Sequence, residues 1–537
     1  MKKLLKACVA SLAWAALIQP SLASDAKECK PWKPEFIKNN HLLIGKINIH
    51  SNNIFDTSSR QESTSLHKLA NKLHSKTKPK AIKQQLLFKT GDSFSPQKLA
   101  ETERYLRAQK YIKDARVSPS QLCGQQVTVK VTTGDNWTLT PGLNFGRSGG
   151  NNKVGIQLQE QNILGYGKEI ILRYTKESER HKTKLSYQDH HLLGSRHKLI
   201  LDLLNNSDGK GYKVSLSLPF YKTDSKKTWG VTSSKLKQVI PIYSKGEVVD
   251  KITENKQFNS LFYGWSASRS DKATSRFKVG WSVKKSQYLK PLDLDHPIEL
   301  TESYPWLEFT SFKTRYIKKK NFNTMGKIED IPLTRRFSLG AGFLLKEFGS
   351  SDQHLKLTAG YSKGIQLNPS LLSSVTLKTD NYLGEGSRKG GSHSIKAVLN
   401  HFNYSGNDIR LSSTFKFTDN LKPSEHIYLG GDSGLRGYPK AYQAGNRSLI
   451  FQAEKRLHFD WYPLQLAKFG AIAFSDFGSS WGDNTDPKLL ADIGVGLRMI
   501  PTRASSAKTL RLNLAMPLVG HDNIDKFQLS ITTANSF

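Results

Sequence analysis

Beyond Ala23 the chain has no stretch of about 18 apolar residues, the length a helix needs to cross a bilayer, so a helical membrane protein is excluded. Apolar residues are sparse throughout, at 37%, which is low for a compact soluble chain of 537 residues with 40 glycines. Negative charge is also in short supply: 45 Asp and Glu face 80 Lys and Arg, a net charge of +35. Such an excess points to nucleic acid, an anionic membrane surface or an anionic passenger, with solvated loops as the plain alternative. Cysteine is nearly absent. The chain holds three, and neither Cys29 nor Cys123 has a CxxC partner or a nearby histidine, so no metal site is expected. HExxH, P-loop and dinucleotide-binding patterns are missing too, so no cofactor is expected and those enzyme classes lose their sequence support.

What is present begins with an export signal. Lys2, Lys3 and Lys6 precede an apolar stretch at 7–18, and Ser21, Leu22 and Ala23 give a small-x-small cleavage pattern. Residues 1–23 therefore read as a signal peptide, and export argues against nucleic acid as a partner. Cys8 leaves with that segment. Cys29 and Cys123 remain in an oxidising compartment, either as a disulfide or as two free thiols.

Residues 24–40 carry Pro31 and Pro34 and read as an extended lead. From 41 to 134 the pattern is that of a small α+β unit. Residues 46–50 alternate like a strand, helical spacing runs from Ser65 to Phe88, and Ser95 with Pro96 makes a capped helix start. Two further strands follow at 111–117 and 127–131. The predicted order is β-α-α-β-β. Residues 87–95 and 103–112 resemble a POTRA domain, the periplasmic module of outer-membrane assembly and translocation barrels. The sequence has room for a single copy, and the resemblance implies that it receives unfolded polypeptide by adding it as a strand to a sheet edge.

From 135 to 537 the texture is uniform, with apolar residues at every second position between Gly, Asn, Asp, Ser and Lys. Val214, Leu216, Leu218 and Phe220 alternate with polar residues, as do Phe277, Val279, Trp281 and Val283. Each run suits a strand with one lipid face and one lumen face. Roughly 400 residues at about 25 per strand and connection predict a closed transmembrane β-barrel of about 16 antiparallel strands. A soluble sandwich or propeller is the rival, without a blade-length repeat to support it.

One segment stands out, a loop in which Leu435, Arg436, Gly437 and Tyr438 lie among further glycines. Together with Gly165 and Gly167 in 160–167, Glu454, Asp476 in 474–478 and the run 511–518, it resembles, in order along the chain, the superfamily of the BamA and TamA insertases, the two-partner secretion transporters and the bacterial surface antigens. The resemblance implies that the loop folds back into the lumen. Arg436 would then pair with Asp476 and with Glu454, its planar fork holding two carboxylates, while Gly437 permits the tight tip and Tyr438 packs beside it.

It also implies a lateral seam between the first barrel strand, with Pro141, Gly142 and Gly146, and the last, with Phe527, Leu529, Ile531 and Phe537. The implied function is translocation or insertion of polypeptides at the outer membrane. Outer-membrane lipid and lipopolysaccharide and an unfolded polypeptide are the expected partners, with room for a periplasmic accessory protein. Two other classes stay open. One is a passive or anion-selective channel; the other is a barrel hydrolase using Ser433 with His393 or His426.

Overall fold

The computed structural model describes residues 29–38, 41–269, 273–289, 298–384, 390–403, 407–419, 426–482, 487–505, 508–520 and 524–534. The signal segment, residues 24–28 and Phe537 lie outside the described residues.

The N-terminal unit is a four-stranded sheet in the order β1-β3-β4-β2, with β1 Cys29–Pro31, β2 Leu43–Asn52, β3 Ile112–Cys123 and β4 Gln126–Asp135. Three helices, α1 Ser65–Leu73, α2 Pro79–Gln85 and α3 Pro96–Arg107, connect β2 to β3. Where the sequence pattern predicts one helix over 65–88 there are two. His74 is extended at the end of α1 and Pro79 starts α2 at the first helical position, where its missing N–H costs nothing. Ser95 caps α3 by accepting the Lys98 N–H at 3.3 Å. The apolar faces close on Ile82, Leu106, Ile112, Val127, Val129 and Val131, all fully buried.

The lead is not wholly irregular. Its Cys29–Pro31 segment pairs antiparallel with β3, Cys29 opposite Cys123, and the two cysteines are joined as a disulfide with Cα atoms 4.2 Å apart. Proline is tolerated there because β1 is an edge strand.

The remainder closes into an antiparallel barrel of 20 strands among the described residues, not the 16 or so expected. The estimate assumed uniform spacing, whereas six strands fit between Leu139 and Leu218 because their connections are tight. Gly149–Gly150 and Ser207–Asp208 are two-residue hairpin turns. Alternation sets the faces: Phe451, Phe477, Val495 and Leu497 are exposed outward, while Asp476 and Arg498 are buried inward. A separate hairpin, Tyr316–Lys320 with Ile328–Pro332, stands outside the barrel sheet.

Candidate functional site

The chain leaves the strand Asp408–Thr418, folds back between the barrel walls and rejoins the wall as Arg447–His458. Leu429, Leu435 and Tyr438 are fully buried with Ile450 and Leu490, so the loop carries its own small apolar core against the wall. That packing presents the Arg436 guanidinium to two strands at once. Its Nε and Nη2 donate to the two carboxylate oxygens of Asp476, each at 2.7 Å, and Nη1 donates to Glu454 at 3.0 Å. Asp476 has no exposed surface, and Glu454 is held from its other side by Arg456 at 2.7 Å. Phe474 lies under the guanidinium, 3.6 Å from its ring centre, adding a cation–π contact. This desolvated pair is of the kind whose breakage costs far more than that of a surface bridge.

The backbone of the tip is recognised as closely as its side chain. Gly437 donates its N–H to Asp492 at 3.0 Å, and a Cβ there would stand 2.6 Å from the Asp492 Cβ. Only glycine fits so near that wall. Gln452 donates to the Gly434 carbonyl at 3.0 Å. The buried Tyr438 hydroxyl meets the carbonyls of Ala491 and Val519 at 2.9 and 2.5 Å, so this residue fastens the loop to a wall strand and the segment following the next one. Lys440 adds a remote anchor, reaching Glu179 at 2.5 Å and the Tyr243 hydroxyl at 3.0 Å. Its N–H also donates to Gly149 at 3.0 Å, where a Cβ would collide with the loop backbone. Asp492, Glu179, Lys440 and Gly149 are absent from the sequence reading, and Phe474 enters it only as part of the run 474–478. Phe474 and Asp492 carried a faint signal, as inward positions of adjacent strands, but Glu179 lies 261 residues from Lys440 and gave none.

Burial alone would raise the Glu179 carboxyl pKa, but the bonds from Lys440, Tyr243 and Ser178 outweigh it and hold it at about 2.

The first barrel strand, Leu139–Ser148, pairs fully with its successor; Pro141, Gly142 and Gly146 face Leu158, Gln157 and Lys153. Its other edge lies beside the last strand but has few ladder partners among the described residues. The last strand, Gln528–Ala534, pairs with Thr509–Pro517 from Gln528 to Ala534, yet meets the first strand through the single register pair Ile531–Arg147. Leu529 and Phe527 are exposed, Phe527 just before the strand. At the strand entrance Trp137 bonds instead to the Arg503 carbonyl and to Ser505, in the turn before Thr509. The arrangement leaves most of the first strand's outer edge without a ladder among the described residues.

Beside the loop lies a cavity of about 860 Å³ lined by eight Lys and Arg side chains and two carboxylates, Asp432 and Glu454. Arg498 and Arg511 stand directly opposite each other on neighbouring strands of its wall. Ser433 sits in the short turn Gly431–Ser433. His393 bonds the Thr379 hydroxyl at 2.9 Å and stacks on Phe417, and His426 stacks on Tyr428.

Comparison with known families finds the Omp85 superfamily domain over residues 162–535, most of the chain. The chain belongs to the Omp85 superfamily. A second match, the POTRA family described as a surface antigen variable number repeat, covers residues 72–134. No curated protein sequence matches it. Similar solved structures include CdiB from Acinetobacter baumannii, at 14% identity over 94% of this chain and 77% of that one, with a TM-score of 0.46. CdiB from Escherichia coli gives 13% over 92% and 77%, with a TM-score of 0.47. BamA from Haemophilus ducreyi lacking POTRA domains 1–3 gives 12% over 94% and 88%, with a TM-score of 0.39.

In this Omp85 outer-membrane protein several contacts tie the POTRA domain to the barrel, among them Asn162 on Ser75 and Thr77, Arg196 on the Leu86 carbonyl and Thr223 on Glu101, and two centre on an arginine. Arg503, beyond the strand Leu490–Pro501, donates to the Ile54 carbonyl at 3.1 Å, to the Gln465 carbonyl at 3.2 Å and to Glu62. The extra hairpin reaches α3 from another side, with Arg107 on Asp330 at 2.8 Å and Lys318 on Glu103 at 2.7 Å. These two ties each pair a buried arginine with a carboxylate, and neither was foreseen from sequence.

Proposed function

We propose that the protein translocates or inserts polypeptides at the outer membrane, with its POTRA domain in the periplasm receiving an unfolded chain and its lumen closed by the Arg436 loop. The observation that carries this reading is the loop itself. A passive pore has no need of a segment fastened by Arg436, Gly437, Tyr438 and Lys440 to widely separated parts of the wall. A plug that must hold and release is built from such contacts, because each is strong only while water is excluded. The weakly paired first strand supplies an edge at which an incoming strand can add.

In the POTRA sheet, β1 covers only 121–123 on the outer edge of β3, Glu103 and Arg107 of α3 bond the Val117 N–H and the Ala115 carbonyl farther along that edge, and the start of β2 bonds to the turn at 91–94. The receiving edge is therefore 46–52 of β2. Photo-crosslinkers placed at Asn48 and His50 are expected to capture unfolded polypeptide, and one at Ser118 on β3 to capture none. Equal labelling at all three would contradict the assignment.

An anion-selective channel is the second reading, favoured by the eight cations around the lumen cavity. It predicts a steady anion current that Arg436→Ala leaves unchanged. The hydrolase reading predicts lipase or protease activity lost in Ser433→Ala.

A further inference from the structure

Helix α1 is built with three faces. Its buried side holds His67 and Ala70, which pack with Ile54, Phe55, Trp137 and Leu466 where the POTRA domain meets the barrel rim. Asn71 ties the same side to the Phe55 backbone at 2.8 and 3.1 Å. The next side carries Leu66, Leu69 and Leu73, spaced three and four residues apart and therefore aligned. These leucines are 49, 51 and 64% exposed. The third side carries Lys68 and Lys72, both exposed, with Lys76 and Lys78 following in the next turn of chain.

An apolar stripe left in water beside a row of lysines is the composition of a helix that lies in a membrane interface. Its position in the fold gives the same answer. The His67 ring accepts the Thr64 hydroxyl at Nδ1 and donates from Nε2 to the Leu464 carbonyl, both at 3.0 Å. Leu464 tops the rim turn Pro463–Gln465 and is itself 57% exposed; Trp461 beside it is 60% exposed. The leucine stripe thus continues the outward apolar surface of the barrel at the POTRA-side rim.

We propose that α1 docks on the bilayer, its leucines entering the headgroup–acyl boundary of the leaflet on the POTRA side and its lysines meeting lipid phosphates. This surface is separate from the lumen site and does not depend on what passes through it. It would hold the POTRA domain at a fixed angle beneath the strands from 447 to 505, next to the weakly paired first strand.

The test uses the full chain, with the Cys29–Cys123 disulfide intact, in vesicles of phosphatidylethanolamine and phosphatidylglycerol at one protein per vesicle. Leu69→Cys, Leu73→Cys and Lys68→Cys each carry a nitroxide, and folding is checked by the heat-dependent gel migration of the barrel. Labels at 69 and 73 are expected to collide several-fold more with oxygen, and less with a water-soluble nickel chelate, than the label at 68. Equal nickel access at all three positions would overturn the proposal. So would shielding at 69 and 73 that appears only when several copies share a vesicle, since a second copy would then be the occupant.

Discussion

At the scale of single residues, the loop is pinned by a guanidinium whose partners are the fully buried Asp476 and the partly buried Glu454. Truncating one side of such a pair leaves an uncompensated charge, so Asp476→Ala and Arg436→Ala should each weaken loop docking by about 3–5 kcal/mol. Protease susceptibility of the segment 426–446 in the folded barrel measures that release. Arg436→Lys should recover only part, because an ammonium cannot span both oxygens of Asp476 while also reaching Glu454. Gly437→Ala tests the tip differently. The added methyl meets the Asp492 Cβ, which is fixed to its own backbone, so the loop and not the wall must give way. Proteolysis comparable to that of Arg436→Ala is the expected outcome.

Among the elements, the loop's remote anchor carries a pH dependence. The Glu179 carboxyl, ordinarily near 4.5, is held at about 2 in the folded protein. A depressed carboxylate contributes stability that is complete above its unfolded value and disappears as pH falls through the folded one. The Lys440 anchor should therefore hold at neutral pH and weaken between about pH 4.5 and 2, and Glu179→Gln should remove that dependence; loop proteolysis against pH reads both. Among the described residues the last strand is the one least paired on one side. Its amides should exchange with deuterium faster than those of Lys227–Ser244 and Glu247–Arg269, which are paired along almost their whole length. Element legibility followed locality. Ser95 with Pro96 marks a helix start within four residues, and alternating runs mark strands, but the break between α1 and α2 depends on where Pro79 falls. Tight turns such as Gly149–Gly150 raised the strand count beyond an estimate based on average spacing.

For the whole molecule, the order of a POTRA domain and an Omp85 barrel was legible because both halves carry their own periodicity and motif order. The contacts between them were not. Arg503 reaches Glu62 across 441 residues and Arg107 reaches Asp330 across 223, and no local pattern announces either. Those ties predict that Arg503→Ala loosens the POTRA domain without unfolding it, seen as a broadened spin-label distance between α3 and the barrel rim. The central claim is a barrel stoppered by its own loop, and conductance across a planar bilayer tests it most directly. The wild-type chain should give small, flickering currents, and Arg436→Ala should open longer and wider. A steady current of the same size in both proteins would contradict the account.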